Sequence, residues 1–250
     1  MESSFYKNYF EVEKSHWLMR VRRTIIMDAL QSYLAKSTNN QKILDFGCGS
    51  GYLVSELSKA GYEAYGLDVS EEAIQYGKRQ GINNIEVIDR HRISYPDGYF
   101  QAVLALDVLE HLEDESWAIK EMERVLAPGG ILVVMVPAFR FLWGVQDEVA
   151  HHFRRYTMPG LLKAIGKSSN LSLIRKTYFN TLLFGPIAVV RMLTRWFRIR
   201  NRESDFEINN KFTNSLFFII FNFERKLLKR FNFPVGVSIL AVFKKPESIQ

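Results

Sequence analysis

The 250-residue chain contains one cysteine, Cys48, and has no uninterrupted apolar run of 18 residues. An intramolecular disulfide is therefore excluded, and no membrane-spanning helix is predicted. The first ten residues are polar and aromatic and lack the basic and apolar regions of a secretory leader, so we expect a cytoplasmic protein. Cys–His spacings typical of zinc sites are absent, and we expect no bound metal. Repeats and Gly/Ser linkers are absent too, which favours one domain over 1–250.

Acidic residues are scarce near the C-terminal end, and the net charge of +6 is concentrated there. Residues 171–250 contain 14 Lys and Arg against five Asp and Glu, whereas the preceding part contains 19 against 22. A local excess of positive charge indicates an anionic partner, such as a phospholipid surface, nucleic acid or a phosphorylated substrate. Hydrophobic residues make up 47% of the chain, so a packed core is expected.

Short apolar runs alternate with amphipathic stretches, which predicts strands separated by helices. The predicted strands are 42–46, 64–67, 85–88, 102–106, 131–136, 171–179 and 237–243. The predicted helices are 14–34, 52–59, 71–79, 116–125, 158–167, about 184–200 and about 213–230. The Pro-Gly-Gly at 128–130 is expected to follow a helix end. Strand–helix alternation indicates a parallel sheet that is covered on both faces.

A glycine-rich turn at 47–51, called the glycine loop below, joins the first predicted strand to the next helix. Glycines permit a tight turn and close approach of the backbone to a ligand. Asp68 ends the second strand, at the distance where a carboxylate can accept from ribose hydroxyls. NAD and S-adenosylmethionine both bind at such loops. Tyr52 stands where a dinucleotide site has its third glycine, and Asp45 suits a cationic ligand better than a pyrophosphate. S-adenosylmethionine is therefore favoured.

Residues 42–137 resemble the class I S-adenosylmethionine-dependent methyltransferases, particularly the small-molecule branch that includes the ubiquinone-biosynthesis O-methyltransferases. The resemblance rests on LDFGCGSG, GLDVS, VID, YPDGYFQAVLALDVLEHL and LAPGGILVVMVP. It implies an α/β fold, a doubly wound, Rossmann-like sheet of seven mostly parallel strands with an antiparallel last strand. The domain would comprise an N-terminal helical cap (1–40), a cofactor-binding core (41–180), a basic aromatic helical insertion (181–234) and the last strand (235–245).

The same resemblance implies S-adenosylmethionine as cofactor, S-adenosylhomocysteine as product, and a set of cofactor contacts. Asp45 and the glycine loop would hold the methionine end, Asp68 the ribose and Asp89 the adenine amino group, while Asp107 would close the pocket. The whole predicted set is Asp45, Gly47, Cys48, Gly49, Gly51, Asp68, Val69, Asp89 and Asp107. Two positions depart from the family pattern: Gln101 replaces a usual Asp, and Arg90-His91-Arg92 replaces smaller residues.

Polar side chains on the acceptor side are expected from two segments that follow strands. His111 follows the fourth strand, and its side chain titrates in the range of a general base. The segment 138–157 follows the fifth strand and contains H-x-R-R-Y-T, as in a subgroup that also carries an N-terminal His-Trp and Arg, here His16, Trp17 and Arg20. The predicted catalytic residues are His111, His152 and Asp147, and the predicted substrate-side residues are Arg20, Trp17, Trp143, Arg155 and Tyr156. Structural roles stay open for His111, Trp17 and Tyr156.

The insertion combines basic with aromatic residues at helical spacing. Its first helix carries a stripe of Arg191, Arg195, Arg198 and Arg202. In the second helix, Phe217, Phe218 and Phe221 widen the apolar surface, and Lys226, Lys229 and Arg230 follow. Such helices are typical of a membrane interface, which predicts a peripheral membrane protein with a lipid-like or amphipathic acceptor.

Three other functions stay open at this point: a methyltransferase of a soluble metabolite, one of nucleic acid, and a non-catalytic S-adenosylmethionine-binding protein. A nucleic acid partner is the least favoured, because the fourth strand is followed by Leu-Asp-Val-Leu-Glu-His and no RNA-binding signature occurs. Enzymes that methylate nucleobase amino groups typically have an Asn/Asp-Pro-Pro-aromatic motif at this point. The sequence makes no prediction about the oligomeric state, the identity of the acceptor, or O- against N- or C-methylation.

Overall fold

The computed structural model describes residues 10–34, 41–88, 92–196 and 211–247. Seven strands form its single sheet: β1 (Lys42–Phe46), β2 (Glu63–Asp68), β3 (Ile85–Val87), β4 (Phe100–Leu106), β5 (Leu126–Pro137), β6 (Ser172–Phe179) and β7 (Ser238–Lys244). They lie in the order β3-β2-β1-β4-β5-β7-β6. β1 to β5 pair in parallel, and β7 runs antiparallel to both β5 and β6. The predicted fold class is confirmed.

Helices cover both faces of this sheet. They are α1 (Trp17–Tyr33), α2 (Tyr52–Lys59), α3 (Glu71–Arg79), α4 (Ser116–Val125), α5 (Val145–Val149), α6 (Met158–Ser168), α7 (Phe184–Trp196) and α8 (Lys211–Leu228). Residues 10–15 are also helical, and His16 separates them from α1. The one helix predicted over 14–34 is therefore divided in two. The cause is local, since the His16 ring accepts from the backbone N–H of Leu18 as the N-cap of α1.

The Pro-Gly-Gly segment forms part of β5, which corrects the strand boundary predicted at 131. β5 begins at Leu126, directly after α4, because Leu126 pairs with Phe100 of β4 ahead of a register shift. Gly130 fits there because an added Cβ would lie 2.8 Å from the carbonyl oxygen of Ala127. The central strands are buried along nearly their whole length, as expected for parallel strands that are covered on both faces.

The insertion between β6 and β7 contributes to the core. Phe221 of α8 is fully buried, and its ring lies 5.8 Å from that of Trp17 and 6.2 Å from that of Phe179. The ring of Phe217 also contacts Trp17, at 5.4 Å. This corrects the prediction that Phe217 and Phe221 extend an exposed apolar face, because α8 packs one side against α1. Its other side remains exposed, as Ile219 and Phe223 show.

Part of the predicted basic stripe lies outside the described residues. This applies to Arg198 and Arg202 and to the side chain of Arg195, whereas Arg191 is described and partly buried. Asp89, the predicted adenine contact, also lies outside them. Within the described ranges, no helix combines the length and apolarity needed to cross a membrane.

Candidate active site

The conformation of the glycine loop is fixed by the packing of Gly47 against Val108 and by hydrogen bonds to β2. Gly47, Gly49 and Gly51 adopt φ of +83°, +56° and +79°, which L side chains rarely tolerate. An added Cβ at Gly47 would lie 2.3 Å from Val108 Cγ2, whereas one at Gly49 would meet nothing within 4 Å. The N–H groups of Gly47 and Cys48 donate to the carbonyl of Leu67 at 2.7 and 3.0 Å. Gly49 therefore faces open space at the carboxyl edge of the sheet, where ligands of such folds bind.

Asp68 connects the end of β2 to the glycine loop. One carboxylate oxygen accepts from Gly49 N–H at 2.7 Å, and the other accepts from Ser70 N–H at 2.8 Å. Val69, beside it, is 54% exposed at the same edge. Asp68 and Val69 thus lie next to the glycine loop, and their contact with the cofactor remains a prediction.

Three carboxyl groups lie close together around the loop. Asp45 is only 3% exposed. Burial, together with the charges of Glu13 and Asp68, raises the pKa of Asp45 to about 8. Burial and the charge of Asp68 likewise raise the pKa of Glu13 to about 7, although Ser50 and Arg23 oppose this.

A buried carboxyl group is costly to ionise, and a cationic ligand relieves that cost. The three carboxyl groups therefore suit S-adenosylmethionine, which carries a positively charged sulfonium and an ammonium. The same carboxyl groups would repel the pyrophosphate of a dinucleotide. Asp45, Asp68 and the glycine loop are the residues that would hold this cofactor.

Asp107 forms an ion pair across the same edge with Arg22 of α1. It follows β4 with φ of +54°, next to Val108, which packs against Gly47. Arg20 and Trp17 are the predicted substrate-side residues of α1, and both contact phenylalanines of α8. The Arg20 guanidinium lies over the ring of Phe218 at 4.2 Å, and Trp17 is buried against α8. Arg22 contacts Asp107 instead, from another side of the same helix.

On the acceptor side, Asp147 is the centre of a buried polar network. One of its oxygens accepts from Arg155 Nε at 2.7 Å and contacts His152 Nδ1 at 2.9 Å, and the other accepts from Gly144 N–H at 2.8 Å. Burial disfavours the ionised form of Asp147, but the bonds with His152 and Arg155 outweigh it and lower the pKa to about 2. A permanently charged carboxylate therefore orients the His152 ring.

His152 in turn contacts His111, which follows β4. Their ring centroids are 4.5 Å apart with an interplanar angle of 88°. Burial and the neighbouring His152 lower the pKa of His111, so this ring is neutral at pH 7. The structure thus brings the three predicted catalytic residues, His111, His152 and Asp147, into one chain of contacts, and their catalytic role remains a prediction.

Glu110 lies beside the histidine pair and was not identified from the sequence. Its side chain is fully buried, and neither carboxylate oxygen has a hydrogen-bond partner in the described part of the chain. Burial, then the charge of Asp107, raises its pKa well above the ordinary value. Ligand atoms of Glu110, His111 and His152 lie within 4.8 Å of one another, close enough to hold a divalent cation. The sequence prediction was that no metal is bound.

Two predicted substrate-side residues, Tyr156 and Arg155, have largely buried side chains that form hydrogen bonds within the protein. Tyr156 is 5% exposed and donates to the carbonyl of Leu109 at 3.2 Å, which favours the structural role that the sequence left open for it. Arg155 has a side chain only 7% exposed, with its guanidinium bound to Asp147 and to the carbonyl of Ala138. Both residues hold the segment 138–157 against the sheet. Trp143 is partly buried ahead of α5, and its role remains a prediction.

Comparison with known proteins assigns this arrangement to a family. Residues 44–134 match the family described as "Methyltransferase domain". The chain is 26% identical over 170 residues to the ubiquinone biosynthesis O-methyltransferase of Pelagibacter ubique, covering 61% of this chain and 70% of that protein. It is 33% identical over 137 residues to the demethylmenaquinone methyltransferase of Geobacillus stearothermophilus, covering 51% of this chain and 58% of that protein.

Residues 44–134 form a methyltransferase domain, and the chain is similar to class I S-adenosylmethionine-dependent methyltransferases. A solved S-adenosylmethionine-dependent methyltransferase from Methanosarcina mazei has the same fold, with a TM-score of 0.57, 17% identity, and coverage of 88% of this chain and 98% of that one. The predicted family and its cofactor, S-adenosylmethionine, are therefore confirmed. The chain spans 70% and 58% of the length of these two curated relatives.

Sequence reasoning missed three charged residues of the methyltransferase site: Glu13, Arg22 and Glu110. Glu110 had a signal, since it directly precedes His111 in Leu109-Glu110-His111. Arg22 and Glu13 had none, because each reaches the site from a segment that is distant in sequence.

Proposed function

We propose that the protein methylates a hydroxyl group of a small amphipathic acceptor at the surface of an anionic membrane. The observation that carries the catalytic part is the chain of contacts from Asp147 through His152 to His111 at the carboxyl edge of the sheet. The alternative acceptors are a soluble metabolite or nucleic acid, and a non-catalytic role of the bound cofactor is the remaining alternative.

The cofactor supplies an activated methyl carbon, so the chain's own residues need to orient the acceptor and remove its proton. Asp147 binds Nδ1–H of His152, which leaves Nε2 of that ring as a proton acceptor. The hydroxyl proton passes to Nε2, and the ionised Asp147 stabilises the resulting imidazolium. His111 is neutral beside it and adds no opposing charge at pH 7.

His152→Ala tests this base, and His151→Asn is the matched control. His151 is the exposed neighbour with φ of +54°, a conformation that Asn tolerates. With labelled S-adenosylmethionine and a membrane lipid extract, His152→Ala is expected to lower turnover about 100-fold or more, with unchanged cofactor affinity. His151→Asn is expected to keep turnover within about twofold. Equal turnover in both variants would remove His152 as the base.

The membrane part of the proposal is supported by apolar side chains exposed on α7 and α8. The most exposed are Met192 at 62%, Trp196 at 85%, Phe212 at 76% and Ile219 at 64%. Monomeric proteins rarely expose contiguous apolar surface of this kind unless it binds something. The cations Lys226 and Arg230 end the same region, and both are exposed. The names of the two curated relatives, which concern ubiquinone and menaquinone, support an amphipathic acceptor.

Sedimentation with phosphatidylglycerol vesicles tests the membrane proposal. Binding is expected at low salt, to fall as salt screens the basic groups, and to fall in Lys226→Glu/Arg230→Glu and in Trp196→Ser. Lys163→Glu, on α6, serves as a control for a charge change elsewhere. If the unmodified protein does not sediment with anionic vesicles at low salt, the membrane proposal is wrong.

A further inference from the structure

A carboxylate from outside the sheet reaches the glycine loop. Glu13, in the helical segment 10–15, accepts a hydrogen bond from Ser50 Oγ at 3.2 Å. Ser50 is the fourth residue of the loop and is only 2% exposed. The hydrogen bond therefore holds the carboxylate of Glu13 against the glycine loop, close to Asp45 and Asp68.

Several contacts hold the segment 10–15 over the loop. The ring of Phe10 meets those of Tyr52 and Tyr76 edge-on, at 5.2 and 5.6 Å. Arg23 of α1 donates to the backbone carbonyls of Glu13 and Lys14. The position of Glu13 is thus determined by packing at one end of the segment and by backbone hydrogen bonds at the other.

The charges around Glu13 do not balance. Asp45 of β1 and Asp68 of β2 lie near it as like charges, and Arg23 of α1 lies near it as a cation. The Arg23 guanidinium already bonds the two carbonyls and lies over the ring of Tyr52 at 4.8 Å. Asp45 is buried beside Glu13, and the pKa values of the two carboxyl groups are raised to about 8 and about 7, so both groups ionise most readily when a cation binds next to them.

We propose that Glu13 is a specificity-determining residue that makes the cofactor site prefer S-adenosylmethionine to S-adenosylhomocysteine. The two molecules differ by one methyl group and by the positive charge of the sulfonium. Contacts with shared parts of the molecules bind both equally, whereas an extra buried carboxylate favours the more cationic one. Glu13 would thereby help the product leave after each methyl transfer. The inference rests on the family's cofactor and does not depend on the acceptor.

Calorimetry on the full chain with each of the two cofactor forms tests the proposal. Glu13→Gln keeps the shape of the side chain and its acceptor oxygen but removes the charge. It is expected to weaken S-adenosylmethionine binding about tenfold and S-adenosylhomocysteine binding less than twofold. Glu11→Gln is the matched control, because Glu11 is an exposed carboxylate on the same segment. It should leave both affinities within twofold.

Glu13→Asp retains the charge, and it is expected to keep most of the preference. An equal loss for both ligands in Glu13→Gln, or no loss for either, would overturn the proposal. If Glu13→Gln does not fold, the proposal is decided by Ser50→Ala. Ser50→Ala removes the hydrogen bond that favours the ionised form of Glu13, so at pH 7 it should lower the preference while the protein stays folded. An unchanged preference there would refute the role. None of these assays contains an acceptor, so they remain decisive even if the proposed reaction fails.

Discussion

Asp147→Asn is expected to destabilise the protein by about 2 kcal/mol at neutral pH. The pKa of Asp147 is lowered from 3.8 to about 2, and each pKa unit corresponds to about 1.4 kcal/mol of preference for the ionised form. Asn keeps an oxygen acceptor for Arg155 and a similar shape, so the loss measures the charge. Asp147→Ala also leaves the buried Arg155 without a partner and is expected to cost about 3–5 kcal/mol.

The sign of the pH dependence follows from the lowered pKa. The stabilisation by the charge of Asp147 is complete above pH 4 or so and is lost as the pH falls through the folded-state pKa of about 2. Urea unfolding of the unmodified protein and Asp147→Asn should therefore differ at pH 7 and converge as the pH approaches 2. Glu113→Gln, at an exposed carboxylate on the same edge, should show no such difference. An equal difference at pH 7 and pH 2, or none at pH 7, would refute the reasoning.

Three further predictions concern the cofactor loop and the histidine pair. The affinity for S-adenosylmethionine should rise between pH 6 and pH 8 as Glu13 and Asp45, with pKa values of about 7 and about 8, lose their protons; calorimetry showing a flat profile would contradict it. Gly47→Ala should lower the free energy of unfolding in urea by about 2–3 kcal/mol, because its Cβ would clash with Val108. Gly61→Ala is the control: its φ is also positive, at +92°, but an added Cβ would meet no atom, so the cost should be about 1 kcal/mol. Dialysis against EDTA should leave turnover unchanged if the histidine pair acts as a base; loss of turnover that Mg²⁺ or Zn²⁺ restores would instead assign the pair to a metal.

Local patterns in the sequence were sufficient for the sheet and for the cofactor loop. The strands from β1 to β5 are short apolar runs, and the glycines of the loop lie between β1 and α2 as predicted. Asp68 and Asp107 lie at the carboxyl edge because each follows a strand, and parallel strands bring those ends together. Such features depend on residues near one another in the chain, so periodicity and spacing predict them.

Contacts between distant segments were decided by the tertiary structure alone. Glu13 meets Ser50 across 37 positions, and Arg22 meets Asp107 across 85. Nothing near Glu13 or Arg22 in the sequence indicates those partners. The side of α8 that carries Phe221 was likewise settled by packing against α1, since a wide apolar helix surface fits a core and a membrane interface equally well. Local spacing in the sequence indicated the alternating strands and helices and the kind of cofactor, and the resemblance to a known family implied the seven-stranded sheet. The charges around the cofactor, and the surface left exposed, depended on which helices pack together.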